Sequence, residues 1–420
     1  MTEPDIQAQV LQLGQQARAA ALELVKLSTE DKNVILEAMA VALLDHQADI
    51  LESNEKDLAG AEEKGLTSAM KDRLRLDEKR LLAMAAGVRQ VAGLPDPVGE
   101  ILREWTPLNG LRIEKIRVPI GTIGIIYESR PNVTSDAAAL CFKSGNATIL
   151  RGGSEAFFSN TAISQALAEG GEKAGMPAHA IQLIPFTDRA SVKSMAEMDR
   201  YLDLIVPRGG KGLIETVVSL ARMPVIKHYD GICHTFVDAN ADLEMALEVA
   251  RNAKCQKPSV CNAMETLLLH RSIAEPFLAK AGPAFQEAGV ELRGDETVCA
   301  LWPPTIPATE EDWSTEYLDL ILSVRVVPDL TAAIAHINTY GSRHSDCIVT
   351  TDPAAMDQFL NEVDSAAVFV NASTRFNDGE EFGFGAEIGI STDKLHARGP
   401  MALPELTSYK YRVQGSGQVK

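Results

Sequence analysis

The chain of 420 residues carries a formal net charge of −18, which indicates two or more domains and disfavours nucleic acid and anionic membranes as partners. Apolar residues make up 45% of the chain, which is enough for well-packed cores. Residues 1–16 are polar and acidic and no apolar run is long enough to cross a bilayer, so we expect neither a signal peptide nor a membrane span. The six cysteines form no CxxC pair and the eight histidines no HExxH motif, so we predict a reduced cytoplasmic protein without a metal.

The first part of the chain, to about residue 105, has a helical composition with apolar residues recurring at three and four positions. Ser28 and Asp31 fit a capping box at the start of one of these helices. Two later segments, 111–118 and 406–413, instead alternate apolar with polar or charged residues, which is typical of exposed strands. These edge strands could pair with each other or with another subunit.

From residue 122 onward, buried strands and helices alternate, and a second alternation begins near residue 233. This pattern predicts parallel, doubly wound sheets, which bind ligands beyond the carboxyl ends of their strands. The predicted strands are 122–127, 147–150, 181–184, 202–206, 234–237, 266–269, 321–327, 346–350 and 367–370. The predicted helices are 133–143, 158–174, 242–254, 331–338 and 353–361.

Two strand-to-loop junctions, 151–154 and 207–212, are rich in glycine. Glycines let backbone N–H groups approach a phosphate, but neither junction has a dinucleotide-binding or P-loop motif, so a plain tight turn is the alternative. The polar loops 371–379, 383–389 and 394–400 combine glycines with arginines and hydroxyls. Such loops suit an anion, or are ordinary surface loops.

Cys261 follows Pro258 and Ser259 on a predicted loop between the helix 242–254 and the strand 266–269. Reactive groups are often mounted on such loops, and positive charge from Lys254 and Lys257 would favour a nucleophilic thiolate. The alternative for any single cysteine is a small buried apolar residue.

The segments 127–134, 256–263, 334–346, 371–376 and 396–401 together resemble the aldehyde dehydrogenase superfamily, and more narrowly its branch that reduces γ-glutamyl phosphate. The resemblance covers nearly the whole chain and implies an aldehyde dehydrogenase-like α/β fold with two doubly wound domains and a small β oligomerisation element. The implied parts are a cofactor-binding domain (1–107 and 119–231), a catalytic domain (232–400) and an oligomerisation element (108–118 and 401–420).

The resemblance also implies site residues. Cys261 takes the place of the nucleophile, and either Arg130 or Asn132 would serve the oxyanion together with the backbone N–H of Cys261. His228 stands where hydrolytic relatives carry the glutamate that activates water. The implied cofactor-binding residues are Arg151, Gly152, Ser154, Arg208, Gly209, Gly210 and Glu316. The implied residues for substrate and phosphate are Ser373, Thr374, Arg375 and Arg398.

By this resemblance the protein would reduce γ-glutamyl 5-phosphate to glutamate 5-semialdehyde and phosphate with NADPH, through a Cys261 thioester, in L-proline biosynthesis. Arg151 and Ser154 favour NADP(H) over NAD(H), since an arginine can pair with the ribose phosphate. The expected partners are a second copy of the chain and, transiently, glutamate 5-kinase. The alternatives are a hydrolytic aldehyde dehydrogenase, a cysteine hydrolase or a nucleotide-binding protein without catalysis. The cysteine hydrolase needs a histidine and an orienting acid near Cys261.

Overall fold

The computed structural model describes residues 2–63 and 65–420. In chain order the helices are α1 (Glu3–Leu24), α2 (Thr29–Asp45), α3 (Gln47–Glu63), α4 (Ser68–Leu74), α5 (Glu78–Gly93), α6 (Asn132–Lys143), α7 (Phe157–Lys173), α8 (Ala190–Ala196), α9 (Lys211–Leu220), α10 (Leu243–Cys255), α11 (Ala274–Glu287), α12 (Glu296–Leu301), α13 (Leu330–Tyr340) and α14 (Pro353–Glu362). The strands are β1 (Ile101–Trp105), β2 (Arg112–Pro119), β3 (Thr122–Tyr127), β4 (Ala147–Gly152), β5 (Ile181–Leu183), β6 (Leu204–Arg208), β7 (Cys233–Val237), β8 (Met264–His270), β9 (Glu291–Gly294), β10 (Ile306–Pro307), β11 (Ile321–Val327), β12 (Ser345–Val349), β13 (Ala367–Val370), β14 (Ile390–Ser391), β15 (Gly399–Pro400) and β16 (Thr407–Gln414).

The chain folds as two compact units. The first contains the residues up to 227 together with 383–389 and 401–420, and the second contains 228–382 together with 390–400. Each unit has its own parallel sheet.

The parallel sheet of the first unit has the strand order β5-β4-β3-β6. Every residue of β3 is buried, because helices cover both faces of a doubly wound parallel sheet and its strands become apolar throughout. Tyr127 at the end of β3 lies in register with Gly152 of β4 and Arg208 of β6. The ends of these three strands therefore meet at one edge of the sheet.

A separate antiparallel sheet in the first unit has the order β1-β2-β16. The two alternating segments of the sequence therefore pair with each other, as Val118 opposite Ser408 and Ile113 opposite Val413. The prediction of helix to about residue 105 is wrong at Ile101–Trp105, which forms β1. Pairing with β2 outweighs the local helical composition there, as cross-strand contacts commonly do.

The second unit is built on a sheet with the order β10-β9-β11-β8-β7-β12-β13, whose strand pairs are all parallel. One apolar cluster includes buried residues of α10, α11 and β8, and another includes buried residues of α13, α14 and β12. The central strands β7 and β8 are buried almost throughout. The loop between α10 and β8 is thus held at both ends by core elements. In the described part of the chain, no helix is both long and apolar enough to span a membrane.

Candidate active site

Cys261 lies in the turn between α10 and β8 of the second unit. The carboxylate of Asp242 caps the start of α10 by accepting from the N–H groups of Glu244 and Met245. The last turns of α10 bury Ala250 and Ala253, so the turn that follows leaves a packed helix. Cys261 is partly exposed, as a nucleophile must be, and all six cysteines of the chain are thiols rather than disulfides.

The backbone of Cys261 is fixed by the segment that enters β7. A Cβ atom added to Gly231 would lie 2.0 Å from the carbonyl oxygen of Cys261, so any larger side chain would displace the turn. The thiol of Cys233 donates to the same carbonyl oxygen at 3.2 Å. Glu316 accepts a hydrogen bond from the N–H of Gly231 at 2.8 Å, which ties the loop that carries Glu316 to the segment that enters β7.

Two histidines surround the Cys261 thiol. Ring nitrogens of His228 and His344 and the sulfur of Cys261 all lie within 4.8 Å of one another. The two imidazole rings meet edge to face, with 5.4 Å between their centroids. His344 is fully buried and His228 is partly exposed. His228 therefore lies next to the predicted nucleophile, and so does His344.

The two histidines meet one requirement of a cysteine hydrolase, but the second requirement is an acid that orients the histidine. Nδ1 of His228 lies 2.9 Å from the carbonyl oxygen of Ile390, and Nδ1 of His344 lies 2.8 Å from the hydroxyl of Ser345. In both rings this nitrogen is oriented by a neutral oxygen rather than by a carboxylate. Hydrolases of the Cys-His type rely on an acid or amide at that place, so the geometry disfavours this alternative.

Arg375 is brought to Cys261 by a network centred on Asn262. The hydroxyl of Thr374 donates to the carbonyl of Asn262 at 2.7 Å, and the guanidinium of Arg375 donates to the Asn262 side chain. Nε of Arg375 also donates to the side chain of Gln256 at 2.9 Å. Burial lowers the pKa of Arg375, and the negative charges of Asp378 and then of a Cys261 thiolate oppose this effect. The predicted residues Thr374 and Arg375 therefore belong to the same cluster as Cys261, and Ser373 accepts from the N–H of Arg375 at 3.3 Å.

Arg398 has a different set of partners. Its guanidinium donates to a carboxylate oxygen of Asp364 at 2.8 Å and to the Asp364 carbonyl at 3.2 Å. Lys394 contacts the same carboxylate at 2.7 Å, and the two cations lower the pKa of Asp364 to about 2. The role of Arg398 in phosphate binding stays a prediction, with Asp364 as a competitor for its N–H groups.

Lys254, which the sequence placed close to the thiol, is fully buried and bonded to Glu265 at 2.6 Å. Burial raises the pKa of Glu265 to about 7, and the ammonium of Lys254 opposes this effect. The second oxygen of Glu265 accepts from the N–H of Leu318 at 3.1 Å, two residues beyond Glu316. The charge of Lys254 is therefore balanced within the fold, and the pair anchors the Glu316 loop.

We expect Lys254→Met to lower the free energy of unfolding by about 3–5 kcal/mol, because it leaves the Glu265 carboxylate buried without its partner. Denaturant unfolding monitored by circular dichroism measures this change. Adding Glu265→Gln removes the stranded charge and keeps an acceptor for Leu318, so the double variant should recover most of the loss. A double variant that is no more stable than Lys254→Met would contradict this account.

The residues predicted to bind the cofactor lie at one sheet edge of the first unit. Gly152 ends β4 and Arg208 ends β6, on either side of the end of β3. The side chain of Arg151 is mostly buried and donates to the carbonyls of Gly152 and Thr187 at 3.0 and 2.8 Å. Ser154 begins a short 3-10 helix directly after β4.

Two carboxylates at this edge were not predicted from the sequence. Glu128 accepts from the N–H of Gly210 at 2.9 Å, at the start of α9, and a Cβ added to Gly209 would collide with it. Glu155 accepts from the N–H and the hydroxyl of Ser129 at 2.6 and 2.7 Å. The N–H at Gly210 thus already points at an anionic group, as expected of a helix N-terminus.

The two oxyanion candidates also belong to the first unit. Asn132 is the first residue of α6 and its side chain donates to Asp136 at 2.9 Å. Arg130 is exposed in the turn between β3 and α6. The choice between them stays a prediction.

Several positioning residues were not predicted. Gly231 and Cys233 hold the backbone of Cys261, Asn262 binds Arg375, and His344 faces the thiol. Asn262 and His344 both occur in the segments that carry the family resemblance, which was the available signal. Nothing in the local pattern shows that Gly231 and Cys233, about thirty positions earlier, would lie under Cys261.

The fold and this site define an enzyme class. The chain belongs to the aldehyde dehydrogenase family, whose sequence profile matches residues 5–301. The aldehyde dehydrogenase-like α/β fold predicted from the sequence is confirmed.

Within this family, the chain is similar to γ-glutamyl phosphate reductases. It is 56% identical over 407 residues to the γ-glutamyl phosphate reductase of Moorella thermoacetica, covering 97% of each chain. It is 54% identical over 415 residues to that of Geobacter metallireducens, covering 99% of each chain. The crystal structure of the γ-glutamyl phosphate reductase of Thermotoga maritima matches with a TM-score of 0.96 and 46% identity, over 98% of this chain and 99% of the other. The predicted resemblance is therefore confirmed.

Proposed function

We propose that the protein reduces γ-glutamyl 5-phosphate to glutamate 5-semialdehyde, in the formation of proline, with NADPH as the reductant and Cys261 as the nucleophile. The observation that carries the proposal is the cluster of a partly exposed thiol, two imidazoles and the guanidinium of Arg375. The named relatives, more than half identical to this chain over nearly its full length, support the same substrate.

In the first step, the Cys261 thiolate attacks the γ-carbonyl carbon of the acyl phosphate. A carbon–sulfur bond forms, the carbon–oxygen bond to phosphate breaks, and inorganic phosphate leaves with the electron pair. The positively charged guanidinium of Arg375, which interacts electrostatically with Cys261, would bind a phosphate oxygen and stabilise the leaving group. The N–H of Cys261 donates to the oxyanion.

For the second step, a nicotinamide cofactor would supply the hydride that reduces the thioester carbonyl. The sulfur then leaves the reduced carbon, and the thiolate of Cys261 is restored with release of the aldehyde. His228 and His344 stand within reach of the sulfur and can hold the proton that Cys261 gives up to become a thiolate. The anchored Glu316 loop is where we place the nicotinamide ribose.

The edge of the first-unit sheet suits a dinucleotide. Arg151 has five N–H groups and uses three on the carbonyls of Gly152 and Thr187 and the hydroxyl of Ser191, so two remain for a ribose phosphate. The N-terminus of α9 suits the pyrophosphate of the cofactor. The pyrophosphate would replace Glu128 as the acceptor of the hydrogen bond from the N–H of Gly210. Arg208 and Gly209 complete that turn.

We expect kcat/KM to be at least about tenfold higher with NADPH than with NADH, since a charge-assisted hydrogen bond contributes about 1.5–3 kcal/mol. Ser154→Glu should lower kcat/KM for NADPH by roughly 10–100-fold through repulsion of the ribose phosphate, with little change for NADH. Ser154→Ala is the matched control and should have a much smaller effect. A wild-type preference for NADH, or an equal loss with both cofactors in Ser154→Glu, would refute the assignment.

The division of labour between the units is also part of this proposal. We assign the binding of the adenosine and pyrophosphate parts of the cofactor to the first unit and catalysis to the second, and we assign the sheet β1-β2-β16 to contacts between subunits. A transient contact with glutamate 5-kinase and a cytoplasmic location stay predictions from the sequence. The direct test of the activity follows NADPH absorbance with γ-glutamyl phosphate, and NADP⁺ reduction with glutamate 5-semialdehyde and phosphate. No absorbance change in either direction would refute the proposed function.

A further inference from the structure

We propose that Cys261, His228 and His344 form a binding site for a soft divalent cation such as Zn²⁺ or Cd²⁺, and that its occupancy reversibly blocks the thiol. This site goes beyond the proposed reduction, and cation binding itself does not depend on that reaction. The sequence predicted no metal because no two histidines have the spacing of a ligand pair. The three residues are more than thirty positions apart and meet only in the fold.

The distances suit a small tetrahedral ion. Zinc binds thiolate sulfur at about 2.3 Å and imidazole nitrogen at about 2.0–2.1 Å, so its tetrahedral ligands lie about 3.3–3.6 Å apart. The three ligand atoms here lie within 4.8 Å of one another. A shift of roughly an ångström, spread over three side chains, would close the site around the ion. Cys261 is partly exposed in a turn, which gives the ion access and the sulfur freedom to move.

The two imidazoles are oriented as metal ligands commonly are. A ligating histidine usually donates its other N–H to a carbonyl or another acceptor, which fixes the ring and its tautomer. Nδ1 of His228 lies 2.9 Å from the carbonyl oxygen of Ile390, so it carries the proton and Nε2 carries the lone pair. In His344, Nδ1 lies 2.8 Å from the hydroxyl of Ser345, which also accepts from Asn377 at 2.7 Å.

The second nitrogen of His344 is an independent sign of a ligand. Nε2 of His344 is buried and has no hydrogen-bond partner among residues 2–63 and 65–420. A buried polar nitrogen without a partner costs free energy, and a metal ion would satisfy it. The ring that carries this nitrogen stands against His228, at 5.4 Å between the centroids.

The chemistry of the three ligands selects the cation. One thiolate and two imidazoles favour Zn²⁺, Cd²⁺ or Co²⁺ over Mg²⁺ and Ca²⁺, which prefer oxygen ligands. The ion would replace the proton of the Cys261 thiol. A bound sulfur cannot attack an acyl phosphate, so the ion inhibits by occupying the nucleophile.

One nearby charge opposes the cation. Arg375 interacts electrostatically with Cys261, and its guanidinium would repel a divalent ion at the sulfur. The same charge attracts a phosphate group, so the anionic substrate and the cation should exclude each other. Removing this guanidinium should therefore tighten metal binding while it weakens phosphate binding, a combination that a general loosening of the fold would not produce.

The test is titration of the purified, metal-free protein with Co²⁺ followed by Zn²⁺. We expect one Co²⁺ per chain, with a thiolate-to-cobalt charge-transfer band that Zn²⁺ abolishes by displacement. Cys261→Ser should remove the charge-transfer band. Both Cys261→Ser and His344→Gln should weaken Zn²⁺ binding at least ~100-fold. Replacing a residue that only hydrogen-bonds to a metal ligand usually has a smaller effect. Cys255→Ser is the matched control, because Cys255 is a partly exposed thiol six residues away, and it should bind as the wild type does.

Alkylation keeps the test decisive if His344→Gln does not fold. Zn²⁺ should protect Cys261, but not Cys255, from iodoacetamide in the wild-type protein, and a chelator should restore both alkylation and turnover. Arg375→Gln should bind Zn²⁺ more tightly. A charge-transfer band that persists in Cys261→Ser, or Zn²⁺ that leaves Cys261 alkylation unchanged, would overturn the proposal.

Discussion

Cys261→Ala is expected to fold as the wild type does and to lose turnover by more than ~10³-fold in both directions, because it removes the sulfur that we propose carries the acyl group. The loss should fall on kcat, since we assign substrate and cofactor binding to other residues. The measurement is steady-state NADPH oxidation with γ-glutamyl phosphate, together with circular dichroism as a check of the fold. Cys261 is partly exposed in its turn, so the smaller side chain leaves no large cavity.

Cys255→Ala is the matched control for this result. Cys255 ends α10 only six residues before Cys261 and is also partly exposed. Burial raises the pKa of the Cys255 thiol, which keeps it protonated at neutral pH. We expect Cys255→Ala to keep most of its activity. Wild-type turnover in Cys261→Ala, or equal losses in both variants, would show that the nucleophile lies elsewhere.

Removing inorganic phosphate is expected to lower the steady-state rate of the reverse reaction, the oxidation of glutamate 5-semialdehyde with NADP⁺, by more than ~10²-fold. The family resemblance implies that His228 replaces the glutamate that hydrolytic relatives would use to activate water. Arg375 interacts electrostatically with Cys261, and we propose that its guanidinium binds the attacking phosphate. Phosphate should therefore be the acyl acceptor, with γ-glutamyl phosphate as the product.

Arg375→Gln should raise KM for phosphate roughly 10–100-fold, from loss of a charge-assisted hydrogen bond, with a much smaller change in KM for NADP⁺. Arg375→Lys keeps the positive charge but loses the paired N–H groups of the guanidinium. Its KM for phosphate should therefore lie between those of the wild type and Arg375→Gln. Arg398→Gln should have a smaller effect, because Asp364 already takes two of its N–H groups. Sustained turnover without phosphate that yields free glutamate would mean that the enzyme is hydrolytic.

The fold was largely predictable because parallel α/β units leave strong signals. Each residue of β3 is buried, and the run 122–127 is correspondingly apolar in the sequence. The sequence predicted that 111–118 and 406–413 pair with each other or with another subunit, and the structure shows that they pair with each other. The strand at Ile101–Trp105 was missed, since its partner β2 comes later in the chain and its composition alone does not mark it.

The candidate site was predictable in its chemistry but not in its geometry. Cys261 and Arg375 were identified from motif resemblance, and the structure joins them through Asn262. The sequence predicts that Lys254 acts on the thiol, whereas in the structure this buried lysine pairs with the carboxylate of Glu265. The approach of His344 to Cys261 depends on how β7, β8 and β12 are ordered in the sheet, which local sequence does not encode.

The most direct test of the thioester mechanism is mass spectrometry of the enzyme in the first turnover. Glutamate 5-semialdehyde and NADP⁺ are mixed with the enzyme in phosphate-free buffer and quenched with acid. We predict a burst of one NADPH per active site and a glutamyl group in thioester linkage on the peptide that contains Cys261. The same peptide from Cys261→Ser should carry no such group. A burst without this adduct, or an adduct on Cys255 or another residue, would contradict catalysis by Cys261.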